Sequence, residues 1–340
     1  MASVLCSNRS QLTKPLINVS SRPKDISTAV VIVSYNGAPW ICGCVQSVVD
    51  GADDVHVIVV DNASTDGTAG LVAAEFPIVE LIALDQNVGF GLGNNIGIQR
   101  ALALGARFVL LLNQDAFMTP GGLAELQRYM DAEPAVGVCT PLHCSPDTSR
   151  LDPRTYRNYL ATHADGLLLD ALHGNLSLSY QIPGINAAVW FVRSDVFRTV
   201  GGFDPLFFMY GEDDDLLNRM RFHHVRFALL PHVVAVHLRQ SPVRQKGNAF
   251  HEFRLLVDRD RATLLMRVKN PNYSALFSLR VLASYGLVRP VADLLLNSDW
   301  KECLVSWWAT LRVLFEFRRT RRHTLATRVR GAHYLGERVP

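Results

Sequence analysis

Residues 210–215 read Tyr-Gly-Glu-Asp-Asp-Asp. Four adjacent carboxylates repel one another, so such a run needs either solvent or a nearby cation. Here Phe207, Phe208 and Met209 precede the run and Leu216-Leu217 follow it. A carboxylate among such neighbours has a raised pKa and can serve as a general base. The run is therefore read as functional rather than as a solvated surface. A second carboxylate, Asp115, follows the apolar residues Val109–Leu112 and the polar pair Asn113-Gln114. That place suits oxygen ligation of a divalent ion, and equally a cap on the next loop. His237 ends the apolar run Val233–His237. By itself such a histidine reads as structural rather than as a ligand. The segment 87–97 is glycine-rich, but its glycine spacing and its place after a third strand do not fit the dinucleotide fingerprint. Its glycines would let backbone approach a phosphate or ribose, or would cap a helix.

These residues need a scaffold, and its elements alternate. Ala29–Ser34 is a short, β-branched, uncharged run expected to be buried on both faces. A turn at Asn36-Gly37 and Pro39 in a first helical turn lead into a helix ending near Val49. Val55–Val60 forms a second strand ending at Asp61, followed by a loop at 62–67 and another helix. A weaker strand at Val79–Leu84, a helix at Asn95–Leu104 and a strand at Phe108–Leu112 continue the pattern. Strands alternating with helices imply a parallel sheet with ligands beyond the strands' C-terminal ends. Ser34-Tyr35-Asn36, Asp61-Asn62 and Asn113-Gln114-Asp115 all fall there. Between 116 and 182 the pattern weakens, with a strand at Val136–Thr140 and a polar, irregular stretch after Pro141, and the segment is expected to be variable and acceptor-facing. A strand at Gly184–Arg193, a turn at 201–204, a helix opening near Asp214 and a strand at Arg226–Val236 follow. Beyond residue 250 the spacing is helical: 251–269, 275–296 and 303–317.

The chain has 340 residues, enough for a large α/β core with a second region. With 49% hydrophobic and 19% charged residues it is a foldable globular composition. The net charge of +3 argues against a dedicated nucleic-acid binder. The charge is uneven: residues 301–340 hold nine basic residues against three Glu, a net of +6. A basic end on an acidic body suggests an anionic partner surface. The six Cys include no CxxC pair and read as reduced cytosolic thiols. Residues 1–28 read as a flexible arm without the apolar core of a signal peptide. No stretch reaches the ~20 apolar residues of a membrane span. The expected protein is cytoplasmic, resting at most on the inner face of the cell membrane.

The motifs in order resemble a known family. They are Val-Ser-Tyr-Asn (33–36), Val-Asp-Asn-Ala-Ser-Thr-Asp-Gly-Thr (60–68), Asn-Val-Gly-Phe with Gly-Asn-Asn-Ile-Gly (87–97), Leu-Asn-Gln-Asp (112–115), Gly-Gly-Phe-Asp (201–204) and Tyr-Gly-Glu-Asp-Asp-Asp-Leu (210–216). Over about residues 28–270 the chain resembles family 2 glycosyltransferases, in particular their bacterial rhamnosyltransferase-like branch. The resemblance implies an α/β GT-A fold, Rossmann-like, with a mostly parallel central sheet, helices on both faces and a C-terminal helical region. It divides the chain into an arm (1–28), a catalytic domain (29–250) and a helical, basic end (251–340). The catalytic domain would split into a nucleotide-binding half (29–115) and an acceptor-binding half (116–250).

The resemblance also assigns roles. Asp61 resembles the carboxylate that reads the nucleotide base, with Ser34 and Asn36 beside it. Asn87, Gly89 and Asn94 resemble the segment lining the ribose and donor sugar. Asp115 matches the last Asp of an Asp-x-Asp motif that holds Mg²⁺ or Mn²⁺ on the diphosphate, and His237 resembles a histidine completing that coordination. Asn113 stands where many members have the first Asp, and the rhamnosyltransferase-like branch commonly has Asn there. Asp213 matches the catalytic base, with Glu212, Asp214 and Asp215 as acceptor-side candidates. The implied reaction is inverting transfer of a sugar, L-rhamnose from dTDP-L-rhamnose, onto a surface glycan or lipid-linked acceptor. Two other classes compete. A nucleotidyltransferase would want a basic glycine-rich loop after the first strand, and residues 33–39 hold no Lys or Arg. A non-catalytic sugar-nucleotide binder finds support only in Asn113. For the C-terminal helices two readings stand: docking on an anionic membrane, or packing on the catalytic domain or in a homodimer.

Overall fold

The computed structural model describes residues 26–49, 54–161, 164–239, 249–297 and 300–336. Residues 1–25 of the expected arm lie outside the described residues. Ile26 and Ser27 are already buried, so the packed fold begins ahead of the expected boundary at 29.

The first half forms as read. Strands β1 (Thr28–Ser34), β2 (Val55–Asp61), β3 (Glu80–Ala83) and β4 (Phe108–Asn113) pair in parallel, in the order β3-β2-β1-β4. Helices α1 (Ile41–Val49), α2 (Thr68–Glu75) and α3 (Phe90–Ala103) connect them. Every residue of β1 is buried. Its side chains alternate: Val30 and Ile32 join one core, Ala29, Val31 and Val33 the other. That two-residue period on a strand covered on both faces explains its continuous hydrophobic run.

Helix α3 starts at Phe90, five residues before the expected Asn95. The glycine-rich segment is therefore mostly helix. A Cβ on Gly97 would stand 2.3 Å from Val31, and one on Gly93 2.8 Å from Val33. These glycines bring α3 against β1 rather than backbone against a phosphate.

The second half is mixed. Strands β5 (Ala116–Met118), β6 (Val138–Cys144), β7 (Tyr180–Ile182), β8 (Val189–Arg193) and β9 (Phe227–His237) extend the sheet as β4-β8-β6-β9-β5, with β7 also on β9. Among the described residues of this half only β6 and β9 pair in parallel; β8 runs antiparallel to β4 and β6, as do β5 and β7 to β9. Helices α4 (Gly122–Ala132), α5 (Pro153–Thr155), α6 (Leu167–Leu172), α7 (Ser194–Val200) and α8 (Glu212–Phe222) complete this half. The part where the pattern weakened, ahead of the stretch read as irregular after Pro141, contains β5 and α4. The latter buries Leu123, Leu126, Tyr129 and Met130, a helical spacing.

The C-terminal end is helical as expected: α9 (Ala249–Val268), α10 (Ala275–Ala283), a π turn at Ser284–Val288, α11 (Arg289–Asn297), α12 (Trp300–Phe315) and α13 (Phe317–Ala326). Leu206 and Phe207 of the α/β body pack with Leu264, Leu265 and Val268 of α9, and with Val313 of α12. The join is also ionic. The buried Lys269 ammonium lies 2.7 Å from Asp204 Oδ2 and 2.7 Å from Asp215 Oδ1. Arg219 Nε bonds Asp215 Oδ2 at 2.9 Å, and its other nitrogens bond the carbonyls of Val200 and Gly202. His323 of α13 reaches Asp204 at 3.0 Å. Burial works against the Asp204 charge, but Lys269 and His323 overcome it and hold its pKa far below the usual range.

Removing one partner of a buried ion cluster leaves uncompensated charge. Lys269→Met is expected to destabilise the protein by about 3–5 kcal/mol near neutral pH. The loss should shrink toward pH 4, where Asp204, buried and no longer held low by the ammonium, can take up a proton. Urea unfolding at both pH values checks it; an equal loss at both would remove the charge argument.

Candidate active site

Four elements bring the site together. Ala116 of β5 pairs with His237 of β9, and Leu238 N donates to Asp115 O at 2.9 Å. This register sets Asp115 beside His237, whose Nε2 lies 3.4 Å from Asp115 Oδ1. Asn113 ends β4 next to them. Helix α8 then aims its first turn at the same place, after Tyr210 (φ 69°) and Gly211 (φ 81°) turn the chain sharply through left-handed backbone. Asn113, Asp115, Glu212, Asp213 and His237 line one cavity of about 430 Å³, with Phe90, Met209 and Tyr210 as apolar wall. It opens beyond the C-terminal end of β4, where a ligand site is expected in such sheets.

The four carboxylates part company because successive helical residues point about 100° apart. Glu212 is buried with Oε2 unpartnered. Burial, then Asp213, pushes its pKa up to about 8. Asp213 is partly buried, and burial raises its pKa too. Its Oδ1 accepts from Asp214 N at 2.9 Å and its Oδ2 from Ala187 N at 3.4 Å. Asp214 is half-buried beside the cavity lining rather than in it, raised to about 6 by burial and Asp213. Asp215 turns to Arg219 and Lys269. Its geometry is that of a structural anchor, not an acceptor-side group. The cation that the acidic run calls for is therefore Lys269, which lies 54 residues away in sequence.

The other sequence-predicted residues form a neighbouring layer. Ser34 Oγ donates to Gln114 Oε1 at 2.7 Å, and Gln114 also takes Tyr35 N. Asn36 (φ 48°) accepts from Thr65 N at 2.8 Å and ties the β1 loop to the β2 loop. Asp61 is buried; its Oδ2 accepts from Ser64 N at 3.0 Å, and its Oδ1 has no partner. Asn87 Oδ1 accepts from Gly89 N at 2.9 Å. Gly89 (φ 87°) admits no side chain, since a Cβ would meet Phe208 O at 2.3 Å. Asn94, expected toward the donor sugar, is buried and returns its amide to Phe90 O at 3.0 Å within its own helix. Its neighbour Asn95 clasps Phe203 through both its oxygen and its nitrogen.

Three wall residues escaped the sequence reading: Arg154, Asn186 and Arg239. Arg239 stands two residues past His237 at a strand end, where the reasoning used for Asp61 would have found it. Its guanidinium grips Asp152, which also caps α5 through Thr155 N at 2.7 Å. Nothing in the local pattern marks Asn186.

Metal fit rests on donor chemistry. Among the described residues no group of three or more His, Cys, Asp or Glu side chains could hold an ion. Asp115 and His237 adjoin, and His237 Nδ1 and Asn113 Oδ1 are buried without partners. Nearby His143 is kept neutral, its pKa lowered to about 3 by burial and then by His237. Two oxygen and nitrogen donors with an orphan amide suit a divalent ion whose remaining ligands come from diphosphate and water.

Comparison with known proteins agrees with this architecture. Residues 29–201 match glycosyl transferase family 2, and the chain belongs to that family. Residues 172–240 match the N-terminal domain of galactosyltransferase. The N-acetylglucosaminyl-diphospho-decaprenol L-rhamnosyltransferase of Mycobacterium tuberculosis is 26% identical over 219 residues, 56% of this chain and 69% of that protein. The dTDP-rhamnosyl transferase RfbF of Shigella flexneri is 24% identical, over 67% of this chain and 79% of its own. Among solved structures, S. aureus TarS in complex with UDP-GlcNAc superposes with a TM-score of 0.56 at 14% identity, covering 89% and 88% of the two chains. The mannosyltransferase PcManGT from Pyrobaculum calidifontis, in complex with GDP-Man and Mn²⁺, gives 0.50 at 21% identity, covering 93% and 89%. The fold is GT-A-like, and the protein is a glycosyltransferase.

The Glu212 proton makes a testable signature. Its folded pKa, about 8, lies above the ordinary 4.5. Between those values the folded chain keeps a proton that the unfolded chain has released. Stability therefore falls as pH rises through this window, by up to about 1.4 kcal/mol per pH unit. Glu212→Gln is expected to flatten the dependence of Tm on pH between 5 and 8. An unchanged slope would show Glu212 to be ionised in the folded protein.

Proposed function

We propose that this enzyme transfers L-rhamnose with inversion from dTDP-L-rhamnose to a lipid-linked or growing bacterial surface glycan. The observation that carries the reading is one cavity holding both a two-donor metal pair, Asp115 and His237, and a raised-pKa carboxylate, Asp213. The two relatives named as rhamnosyltransferases support the donor, and the decaprenol-linked substrate in one of their names supports the acceptor class.

In this reading Asp61, with Ser34 and Asn36, lies toward the nucleotide base. Asn87 and Gly89 shape the loop beside it. Asp115 and His237 would hold Mg²⁺ or Mn²⁺, as the Mn²⁺ named with PcManGT suggests for the fold. A bound divalent ion would neutralise charge on the departing diphosphate. Arg154 and Arg239 add positive charge to the cavity wall. Asp213 accepts the acceptor hydroxyl proton while that oxygen bonds the anomeric carbon. The bond from that carbon to the diphosphate oxygen breaks, and dTDP leaves with the electron pair. A single displacement from the opposite face inverts the centre. Glu212, neutral at pH 7, adds no second charge beside Asp213.

Asp213→Asn is expected to lower kcat by about 10²–10⁴-fold or more while donor affinity stays near wild type. Wild-type turnover in Asp213→Asn, with Asp214→Asn inactive, would move the base along the run. Asp115→Ala and His237→Ala are each expected to weaken Mn²⁺-dependent binding of dTDP in calorimetry. Unchanged metal dependence in His237→Ala would return that histidine to a structural role.

A further inference from the structure

The C-terminal helices wear their apolar residues the wrong way round for a water-facing layer. Helix α12 turns Cys303, Val305, Ser306, Ala309 and Val313 inward. Its outward stripe is Leu304, Trp307, Trp308, Leu311, Leu314 and Phe315, with Phe315 86% exposed. Small residues face the protein and large hydrophobic ones face away, the reverse of an ordinary amphipathic surface helix. The outer side of α10, the π turn and α11 repeats this with Leu276, Leu279, Leu287, Val291 and Leu294. The two stripes adjoin, because Leu279 and Leu287 share a groove of about 490 Å³ with Trp307, Leu311 and Leu314. A continuous exposed apolar face of this kind marks a binding surface.

Charge and ring chemistry decide its occupant. Three exposed tryptophans, Trp300, Trp307 and Trp308, suit the headgroup level of a bilayer. Arg318, Arg319 and Arg322 follow Phe315 and are exposed, as is Arg280 within α10. An apolar face bordered by arginines complements anionic lipid. The residues Ala275–Ala292 form one 18-residue helical window of mean hydropathy 1.2, enough by length and composition to cross a membrane. Its packing argues otherwise. Arg289 bonds Asp260 of α9 at 3.0 Å and lies 4.5 Å over the Tyr285 ring, while Leu282 and Tyr285 sit in the core shared with α9. A helix held this way lies on a bilayer rather than through it.

We infer that the outer face of α10, α11 and α12 docks in one leaflet of an anionic bilayer. The inference is independent of which sugar or acceptor the enzyme uses. The test floats the full chain with phosphatidylcholine vesicles, with and without phosphatidylglycerol, at low and high salt. The wild type is expected to float with the anionic vesicles at low salt. An R318Q/R319Q/R322Q variant should lose roughly 100-fold in anionic partitioning, given the contribution of each arginine near such a surface. A W307S/L311S variant should stay unbound while keeping wild-type circular dichroism and Tm, since both side chains are exposed. Failure of the wild type to float with anionic vesicles at low salt overturns the inference. So does unimpaired flotation of W307S/L311S. A wild-type dimer that W307S/L311S dissociates, with no vesicle binding, would assign the face to a second copy instead.

Discussion

The ammonium of Lys269 is buried between two carboxylates and lies 2.7 Å from each. Asp204 comes from the loop after α7, Asp215 from the first turn of α8, and Lys269 from the end of α9. Arg219 balances the second carboxylate, and His323 of α13 leans on the first. Charges this deep are tolerated only in pairs with their hydrogen bonds made. The requirement ties four segments to one point. Asp213 and Glu212 sit in the same turn of α8 as Asp215, so whatever fixes Asp215 also fixes the carboxylates that face the cavity. The C-terminal helices are thereby part of the site's support rather than an appendage. The tail confirms this: Gly202 N donates to His333 O, and the Tyr334 ring lies under Arg219.

The cavity itself lies where two kinds of sheet meet. The parallel half delivers Asn113 at the end of β4. The antiparallel half delivers His237 at the end of β9, opposite Ala116. Asp115 belongs to the short link between them, so its position depends on both. Strand pairing is specific here because a slip of one residue would turn His237 to the other face. The loops above β1 and β2 are cross-tied through Gln114, Asn36 and Ser64, which couples the neighbouring layer to the same link.

Electrostatics within the acidic turn separates its members by environment rather than by type. Asp215 is fully paired, Asp213 takes two backbone N–H groups, and Glu212 has an oxygen with no partner. The same run of acid residues thus yields an anchor, an ionisable group and a carboxyl kept neutral near pH 7. Carboxyl groups raised in pKa by burial and by one another at a cavity wall are characteristic of functional sites.

Much of this was legible in the chain. Continuous β-branched runs announced β1 and β2, because strands covered on both faces need no polar side. Polar residues clustered at strand ends announced Asp61, Asn113 and Asp115, because those ends are where the backbone leaves the core. What the sequence could not show depends on contacts between distant residues. Asn94 looked like a sugar ligand, yet its amide is spent on Phe90 O. The glycines of 91–97 could have approached a phosphate or capped a helix, yet Phe203 fills the space at Gly91, Val33 that at Gly93 and Val31 that at Gly97. Helix α4 carried a helical spacing that the weak pattern between 116 and 135 did not bring out. Asp215 is indistinguishable from Asp213 in composition, and its pairing with Arg219 and with the ammonium 54 residues further on separates their roles. Local residue types determined which elements form and where polar groups gather. Partner choice, which sets each group's charge and direction, was decided only when the tertiary fold brought those distant residues together.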